Sequence, residues 1–417
     1  MCKKFKPISI SLSPNTEKDD IRLALKLLFL PWKWKKGVAS RQLEEAFKKY
    51  LGVKYAFSFN SGRTSMMAAL NALNLEKGTE VLTQAFTCNA AVNPILWQGL
   101  NPVYVDCDKD TFNIDANDLQ RKITRKSAAV MVQHTFGQPA DMAKVSALTK
   151  QRNLALIEDC AHSLGAEFNE KKVGTMGDVA FFSFGRDKII SSVYGGMAVT
   201  NDDELAEKMK AYQEKIKYPG FCWTMQQLLH PVLMNCLILP TYDFLGFGKI
   251  ILVIFQKLGI LSKAVSPKEK KGAKPYYFPL KMPNALAVMA IHQLEKLERF
   301  NNHRQNIADF YYQTLKDSDF VLPKKIAGSK NVFLRYTVKS LKAHWIIKKA
   351  WKKNILIGDW YTSPIIPVDT NLQSVNYKAG SCPNAEEISK TSFNLPTHVN
   401  VTINDAGKIT DFLKTLK

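Results

Sequence analysis

Between residues 50 and 217 the chain alternates short β-rich runs with stretches of helical character, and this alternation limits the folds that it can adopt. The runs are rich in β-branched and aromatic residues and lie at 55–59, 80–83, 103–106, 128–132, 154–158, 179–184 and 197–200. Strands separated by helices are typical of a largely parallel sheet covered by helices. We therefore predict an α/β layer whose ligand lies at the carboxyl ends of the strands.

The length of 417 residues is enough for more than one domain. We predict an N-terminal segment and large α/β domain at 1–217, an apolar and basic insert at 218–275, and a linking helix with a small α+β domain at 276–417. Apolar residues spaced three and four apart predict the helix that begins after Pro283. In the small domain we expect strands at 332–338 and 355–358 and helices at 343–353 and 403–416.

The cysteines indicate the redox compartment of the protein, and the net charge indicates its classes of partner. Seven scattered cysteines without a CxxC pair argue against a disulfide framework and a zinc site, and favour a reducing cytoplasm. The basic N-terminus lacks a following apolar stretch, so no signal peptide is expected. A net charge of +21 attracts nucleic acid, anionic lipid or phosphorylated substrates. Because no nucleic-acid-binding motif accompanies the charge, nucleic acid is not an expected partner.

The first candidate motif is the segment 59–65, which links a predicted strand to a predicted helix. Gly62 at this turn lets backbone N–H groups and the positive end of the helix face a phosphate. The alternative is an ordinary helix start, capped by Thr64 or Ser65.

The second motif is Asp159, which directly follows the predicted strand at 154–158. A buried carboxylate that faces a pyridine nitrogen keeps that nitrogen protonated, which makes the ring a better electron acceptor. The alternative is that Asp159 caps a following helix.

The third motif combines Ser183 with Lys188, just past the run at 179–184. Ser183 is suited to donate to a phosphate, and Lys188 to form a Schiff base and then move a proton. A lone lysine is more often a surface residue. The three motifs together, in this order, indicate pyridoxal phosphate as the cofactor.

The order and spacing of these motifs resemble the sugar aminotransferases of the DegT/DnrJ/EryC1/StrS family, which are fold-type I pyridoxal phosphate enzymes. The similarity covers nearly the whole chain, and further matches lie at 86–87, 89–90, 105–106, 112–115, 137–142, 158–166, 293–297, 382–386 and 394–396. The resemblance implies a large domain with a mostly parallel, seven-stranded type of sheet, a small C-terminal domain, and a homodimer with sites at its interface.

The resemblance also implies roles for individual residues. Lys188 is expected to be the Schiff-base lysine and Asp159 the partner of the pyridine nitrogen. His162 is expected near the 3-hydroxyl side of the cofactor. Gly62, Arg63, Thr64 and Ser183 are expected to hold the phosphate.

Four positions depart from the family pattern. Cys88 stands where an aromatic residue usually stacks on the cofactor ring. Tyr194 follows Val193 where the family often has a glycine and a glutamate. Lys281 lies in the stretch that usually supplies an asparagine and an arginine from the partner subunit, and Trp360 replaces a common substrate-side histidine. Lys281, Tyr194 and Trp360 are therefore candidate substrate-binding residues, in a pocket that differs from the usual one.

The implied reaction transfers an amino group, usually from glutamate, to a keto sugar linked to a nucleotide or a lipid, in the biosynthesis of a surface polysaccharide or an amino sugar. One alternative is a pyridoxal-phosphate-dependent sugar dehydratase, although relatives of that kind typically lack the lysine. The other alternative is a non-catalytic, membrane-associated binding or regulatory protein with the same fold.

Two segments suggest contact with a membrane surface. Residues 27–36 and 221–274 combine apolar residues and tryptophans with lysines, which is typical of interfacial anchors. Both are too short or too interrupted to predict a transmembrane helix. We expect peripheral binding to the inner face of the cytoplasmic membrane; the alternatives are that the two segments pack together or across a dimer interface.

Overall fold

A computed structural model describes residues 6–416 of the chain. The basic start of the chain and Cys2 fall within residues 1–5. These residues and Lys417 lie outside the described part.

The large domain is built on a seven-stranded sheet, and each of the seven predicted runs forms one strand. Strands β1–β7 are Tyr55–Phe59, Glu80–Gln84, Asn101–Val105, Ser127–Gln133, Ala155–Asp159, Val179–Ser183 and Gly196–Thr200. Their order in the sheet is β1-β7-β6-β5-β4-β2-β3. Only β7 runs antiparallel to its two neighbours. The predicted α/β fold with a mostly parallel sheet is therefore confirmed.

Both faces of this sheet are covered. Phe181 belongs to one apolar cluster and its neighbour Phe182 to another, because successive side chains of a strand point to opposite faces. The helices before residue 217, α1–α7, are Lys18–Leu28, Ala39–Leu51, Gly62–Leu73, Asn89–Trp97, Ala116–Lys122, Met142–Gln151 and Asp203–Lys215.

The insert is helical and has a small apolar core of its own. Helix α8, Phe221–Leu233, contains Pro231 and continues into a π-helical turn at Met234–Ile238, and α9 is Phe247–Lys257. The buried residues between these helices are Met234, Ile238, Leu239 and Leu261. Across residues 6–416, no helix combines the length and the apolar character that crossing a bilayer requires.

The predicted long helix after Pro283 is two helices, α10 at Asn284–Leu294 and α11 at Leu297–Leu315. Beyond them, β8 at Arg335–Lys339 pairs antiparallel with β9 at Ser392–Pro396, a strand absent from the predictions. Helices α12–α14 are Ala343–Lys352, Pro383–Thr391 and Ile403–Lys414. The short strand Ile355–Leu356 pairs with Ile8–Ser9 from the N-terminal segment. The domain boundaries at 217 and 275 stay a prediction.

Candidate active site

A cavity opens at the carboxyl edge of the sheet, where the three predicted motifs meet. Asp159 is the last residue of β5 and Ser183 the last residue of β6, and both line the cavity. Gly62 and Arg63 line it from the start of α3, and Lys188 from the connection between β6 and β7. Adjacent parallel strands end at one edge, so the topology brings together residues that are more than 120 positions apart.

Lys188 is partly buried, and its surroundings make it an unusually weak base. Burial lowers the pKa of Lys188 to about 8, because a charged ammonium loses hydration there. The positive charge of Arg335 lowers it further, whereas the negative charge of Asp159 opposes the shift. The side-chain amide of buried Asn15 donates to the carbonyl oxygens of Lys188 and Ile189 and so holds the backbone of this turn.

Asp159 is 4% exposed and lines the cavity, and within residues 6–416 only one of its two carboxylate oxygens accepts a hydrogen bond. Its Oδ1 accepts a hydrogen bond from the backbone N–H of Ala161 at 2.9 Å. The residues that follow form turns, so the alternative prediction that Asp159 caps a helix is wrong. Burial raises the pKa of Asp159, and the hydrogen bond from Ala161 and the charge of Lys188 limit the rise. Such a carboxylate gains from a cationic N–H partner.

His162 is buried beside these groups as a neutral imidazole. Its Nδ1 accepts the backbone N–H of Phe136 at 3.4 Å, so the ring hydrogen lies on Nε2. Burial holds the pKa of His162 well below its ordinary value, and the charges of Lys188 and Arg335 add to this effect. His162 can therefore donate one hydrogen bond into the cavity.

The segment 61–64 forms a narrow cradle against the ends of β6 and β7. Ser61, and neither Thr64 nor Ser65, caps α3, because its Oγ accepts the N–H of Thr64 at 3.1 Å. A Cβ at Gly62 would lie 2.8 Å from the Cβ of Ser183, so only glycine fits there. The first turn of a helix leaves N–H groups without intrahelical partners and favours an anion. Thr64 is fully buried and donates to Asn60 at 2.7 Å, so it supports the cradle from behind.

Arg63 lines the cavity, but its guanidinium is bound to the insert. Its Nε lies 2.5 Å from Oε1 of Glu269, whose carboxylate is fully buried, and its Nη2 donates to the carbonyl oxygen of Ala264. The carboxylate of Glu269 therefore neutralises much of the charge that the sequence analysis assigned to phosphate binding. The cavity wall here includes Ala264 and Val265 of the insert.

Two further groups of the insert close the same wall. Arg186 donates to the carbonyl oxygen and the hydroxyl of Ser262. Tyr194, a predicted substrate-binding residue, is buried, and its hydroxyl donates to the carbonyl oxygen of Lys263 at 2.9 Å. Tyr194 thus lines the cavity and also anchors the insert.

Cys88 and Trp360 both line the cavity near Lys188. Burial raises the pKa of the Cys88 thiol, which is therefore neutral. The indole of Trp360 lies 5.4 Å from Nζ of Lys188 and 6.1 Å from the ring of His162. The guanidinium of Arg335 stacks on that indole at 3.6 Å.

Among the predicted site residues with charged side chains, Lys281 alone does not line the cavity of its own chain. Its N–H donates to the carbonyl oxygen of Lys217, and its Nζ lies 5.5 Å from the ring of Tyr218. Within residues 6–416 the cavity-lining set does not include Lys281.

No sequence motif predicted three members of the site or of its immediate support, which are Arg335, Arg186 and Gln133. Gln133 ends β4 beside Asp159 and could have been found from its position at a strand end. Arg335 is on β8 in the small domain, and no local pattern marks it. Its Nη2 is buried without a hydrogen-bond partner among the described residues.

The donor set of this cavity fits pyridoxal phosphate. It offers a lysine amine of lowered pKa, a buried carboxylate that lines the cavity, a neutral imidazole donor, and a cradle at a helix start that a side chain would fill. These are the groups that a covalently held pyridine ring and its phosphate require.

A family model described as the DegT/DnrJ/EryC1/StrS aminotransferase family matches residues 15–231 and 250–414. The chain is 29% identical to the GDP-perosamine synthase of Escherichia coli O157:H7, over 88% of this chain and 86% of the relative. It is 27% identical to the UDP-N-acetyl-3-dehydro-alpha-D-glucosamine 3-aminotransferase of Acidithiobacillus ferrooxidans, over 86% and 84%. Among solved structures, Helicobacter pylori PseC, an aminotransferase of pseudoaminic acid biosynthesis, has a TM-score of 0.76 at 24% identity, over 98% of this chain and 99% of that one.

Proposed function

Because the chain belongs to the DegT/DnrJ/EryC1/StrS aminotransferase family, a family of pyridoxal phosphate enzymes, we propose that it aminates a keto sugar at the cavity around Lys188. The observation that carries this proposal is the convergence of Lys188, Asp159 and the Gly62–Ser183 cradle at one edge of the sheet. The names of these relatives contain nucleotide-linked sugars, which supports a nucleotide-linked keto sugar as acceptor. A lipid-linked sugar stays the alternative acceptor, and glutamate as donor follows from the family resemblance.

Each residue has a separate task in this proposal. When bound, pyridoxal phosphate accepts an amino group from the donor and delivers it to the acceptor. Nζ of Lys188 holds the cofactor covalently and afterwards moves a proton at the reacting carbon, for which a pKa near 8 is suited. Asp159 pairs with the pyridine N–H, and Nε2–H of His162 donates on the hydroxyl side of the ring.

The phosphate is assigned to the cradle, where Ser183 and the first N–H groups of α3 are the donors. Arg63 contributes mainly by joining the cradle to Glu269 of the insert. The intact Lys188 favours aminotransfer over the dehydratase alternative, and the complete donor set favours an enzyme over a non-catalytic binding protein.

The test uses the visible absorption of the purified protein with pyridoxal phosphate, before and after L-glutamate is added. The wild type is expected to show the band of the lysine-bound cofactor, and glutamate should bleach it. Lys188→Ala should not form the band. Product analysis with a panel of nucleotide-linked keto sugars then identifies the acceptor. A lysine-independent band, or no band, would contradict the proposal.

We further propose a homodimer in which Lys281 of the partner subunit completes the cavity. The support is that Lys281 lies away from its own cavity, in the stretch that resembles the family's partner-contributed segment. Mixing and refolding Lys188→Ala with Lys281→Ala tests this idea. One intact site per mixed dimer restores about a quarter of wild-type activity if Lys281 acts across the interface. No recovery would mean that it acts within its own chain.

We also propose that the insert rests on an anionic membrane surface at the inner face of the cytoplasmic membrane. The outer face of α9 exposes Ile250, Val253, Ile254 and Leu258 at helical spacing. Residues 221–274 contain seven lysines against Asp243 and Glu269, and Glu269 is already paired with Arg63. Apolar side chains flanked by lysines are attracted to anionic lipid by about 1 kcal/mol per lysine near the surface.

The second predicted membrane segment, 27–36, supports this proposal only in part. Phe29 and Trp32 are 78% and 72% exposed. Trp34, by contrast, is buried: its indole N–H donates to the carbonyl oxygen of Leu27, and its ring stacks on Phe221 at 4.4 Å. This half of the segment packs against the insert, which was the alternative prediction.

Vesicle flotation tests the membrane proposal. Ile250→Ser with Leu258→Ser should release the protein from vesicles rich in phosphatidylserine, while Leu341→Ser should not. Leu341 is the matched control because it is 95% exposed in the small domain. Equal flotation of both variants, or binding to neutral vesicles alone, would contradict the proposal.

A further inference from the structure

Cys88 provides no aromatic ring to cover a flat cofactor. Its Sγ accepts the N–H of Ala90 at 3.5 Å, which ties the thiol to the start of α4. The short strand Thr87–Cys88 pairs in parallel with Ile365–Ile366, so the loop that contains residue 360 is joined to the same wall of the cavity. Within this chain, an aromatic cover on this side would have to come from another residue of the same wall.

Trp360 is the aromatic residue of this wall that keeps some exposed surface. It is only partly buried, lines the cavity, and lies 5.4 Å from the amine of Lys188. Its neighbour Tyr361 also lines the cavity, but it is fully buried and packs edge-on against Phe86. Tyr194 is buried as well and is bound to the insert.

Arg335 fixes the orientation of this indole from the other side. Its guanidinium lies 3.6 Å from the centre of the Trp360 ring and is 3% exposed, and it does not itself line the cavity. A planar guanidinium stacks well on an aromatic face and is attracted to it. One face of Trp360 is thus occupied by Arg335, and the same indole lies 5.4 Å from Nζ of Lys188 and 6.1 Å from the ring of His162.

We propose that Trp360, backed by Arg335, covers the pyridine ring of the cofactor held by Lys188, in the place of an aromatic residue at position 88. This inference rests on the proposed role of Lys188. It has a structural consequence, because Arg335 belongs to the small domain whereas Lys188 and Asp159 belong to the large one. A cofactor ring stacked on Trp360 would join the two domains.

The test measures cofactor affinity and tryptophan emission together in the apoenzyme. Trp360→Leu is expected to bind pyridoxal phosphate on the order of tenfold more weakly than the wild type, since it loses an aromatic stack. Trp360→Phe should stay within about threefold, because a ring remains. The control is Trp345→Phe, which removes a half-exposed tryptophan on α12. It should change neither the affinity for the cofactor nor the loss of emission on cofactor binding.

Tryptophan emission provides a second readout, on Trp360→Phe, if Trp360→Leu is poorly folded. Cofactor binding should quench the emission of the wild type and of Trp345→Phe, and the quenching should fall sharply in Trp360→Phe although that variant still binds. Cys88→Tyr in the Trp360→Leu background should recover part of the lost affinity.

Three results would overturn the inference: equal quenching in Trp360→Phe and the wild type, unchanged affinity in folded Trp360→Leu, or a larger loss from Cys88→Ala than from Trp360→Leu. If the wild type binds no cofactor at Lys188, the proposed function itself fails. That outcome is recognised from the absorption spectra of the wild type and of Lys188→Ala, independently of the tryptophan emission.

Discussion

The amine of Lys188 should titrate far below an ordinary lysine even before any cofactor binds. Burial lowers its pKa to about 8, and the nearby charge of Arg335 acts in the same direction. An amine reacts with an aldehyde only in its neutral form. Raising the pH from 6 to 9 in the apoenzyme therefore switches Lys188 from mostly protonated to mostly neutral.

The expected effect is large. At pH 7 an amine with a pKa of about 8 is neutral in roughly 9% of molecules, against roughly 0.04% for a lysine in a model peptide, a ratio of roughly 200. The reactivity of Lys188 should fall tenfold for each pH unit below the midpoint and level off above it.

Competitive labelling of the apoenzyme with acetic anhydride, read by mass spectrometry of the peptide that contains Lys188, measures this midpoint directly. The same peptide labelled in the urea-unfolded protein is the control. Asp159→Asn removes a neighbouring negative charge and should move the midpoint downward. Arg335→Met removes a positive charge and should move it upward.

Stability gives an independent readout with a defined sign. Because the folded-state pKa is depressed, the unfolded chain holds more protons between pH 8 and pH 10, so the free energy of unfolding rises with pH in that window. Lys188→Met should stabilise the apoenzyme at pH 7 by up to about 3 kcal/mol. A labelling midpoint near that of the unfolded control, with no stabilisation in Lys188→Met, would show that burial does not lower the pKa of this amine.

Three further predictions concern the cradle, the carboxylate and the insert. Gly62→Ala should weaken cofactor binding at least tenfold, because the added Cβ would enter the cradle. Gly220→Ala is the control and should not weaken binding, because no atom lies within 4 Å of the Cβ it adds. Absorbance titration of the apoenzyme with the cofactor measures both affinities. Asp159→Asn should lower kcat at least a hundredfold yet leave the apoenzyme at pH 7 no less stable in urea, because burial raises the pKa of this carboxyl and its charge opposes folding. Glu269→Gln leaves the charge of Arg63 without its carboxylate, and should reduce hydrogen-exchange protection of residues 261–272 by about 3 kcal/mol; unchanged protection would show that the pair does not hold the insert.

The strands of the large domain were predictable because each is a local pattern. The run at 55–59 coincides with β1, and the other six differ from the observed strands by one or two residues at one or both ends. Missed elements lack such a pattern. Strand β9 contains Asn394 and Pro396 and is held by pairing with β8, which is more than 50 residues away.

The residues of the candidate site likewise include some that a local pattern predicts and some that it does not. Four residues were found because each lies at the end of a strand or shortly after it, and strand ends of a parallel sheet converge: Gly62, Asp159, Ser183 and Lys188. Gly62 stands out further as the residue that a turn against another strand requires.

The amino-acid sequence alone predicted the sheet and the residues at the strand ends, because periodicity and turn residues act over a few positions. The cofactor followed from the order of three motifs and from the family that this order resembles. Only the tertiary structure decided that Glu269 neutralises Arg63, that Arg335 lies behind Trp360, and that Lys281 points away from its own cavity. These pairings join residues from separate elements. Their partners are chosen by packing and by the cost of leaving a buried charge unpaired, which no local pattern records.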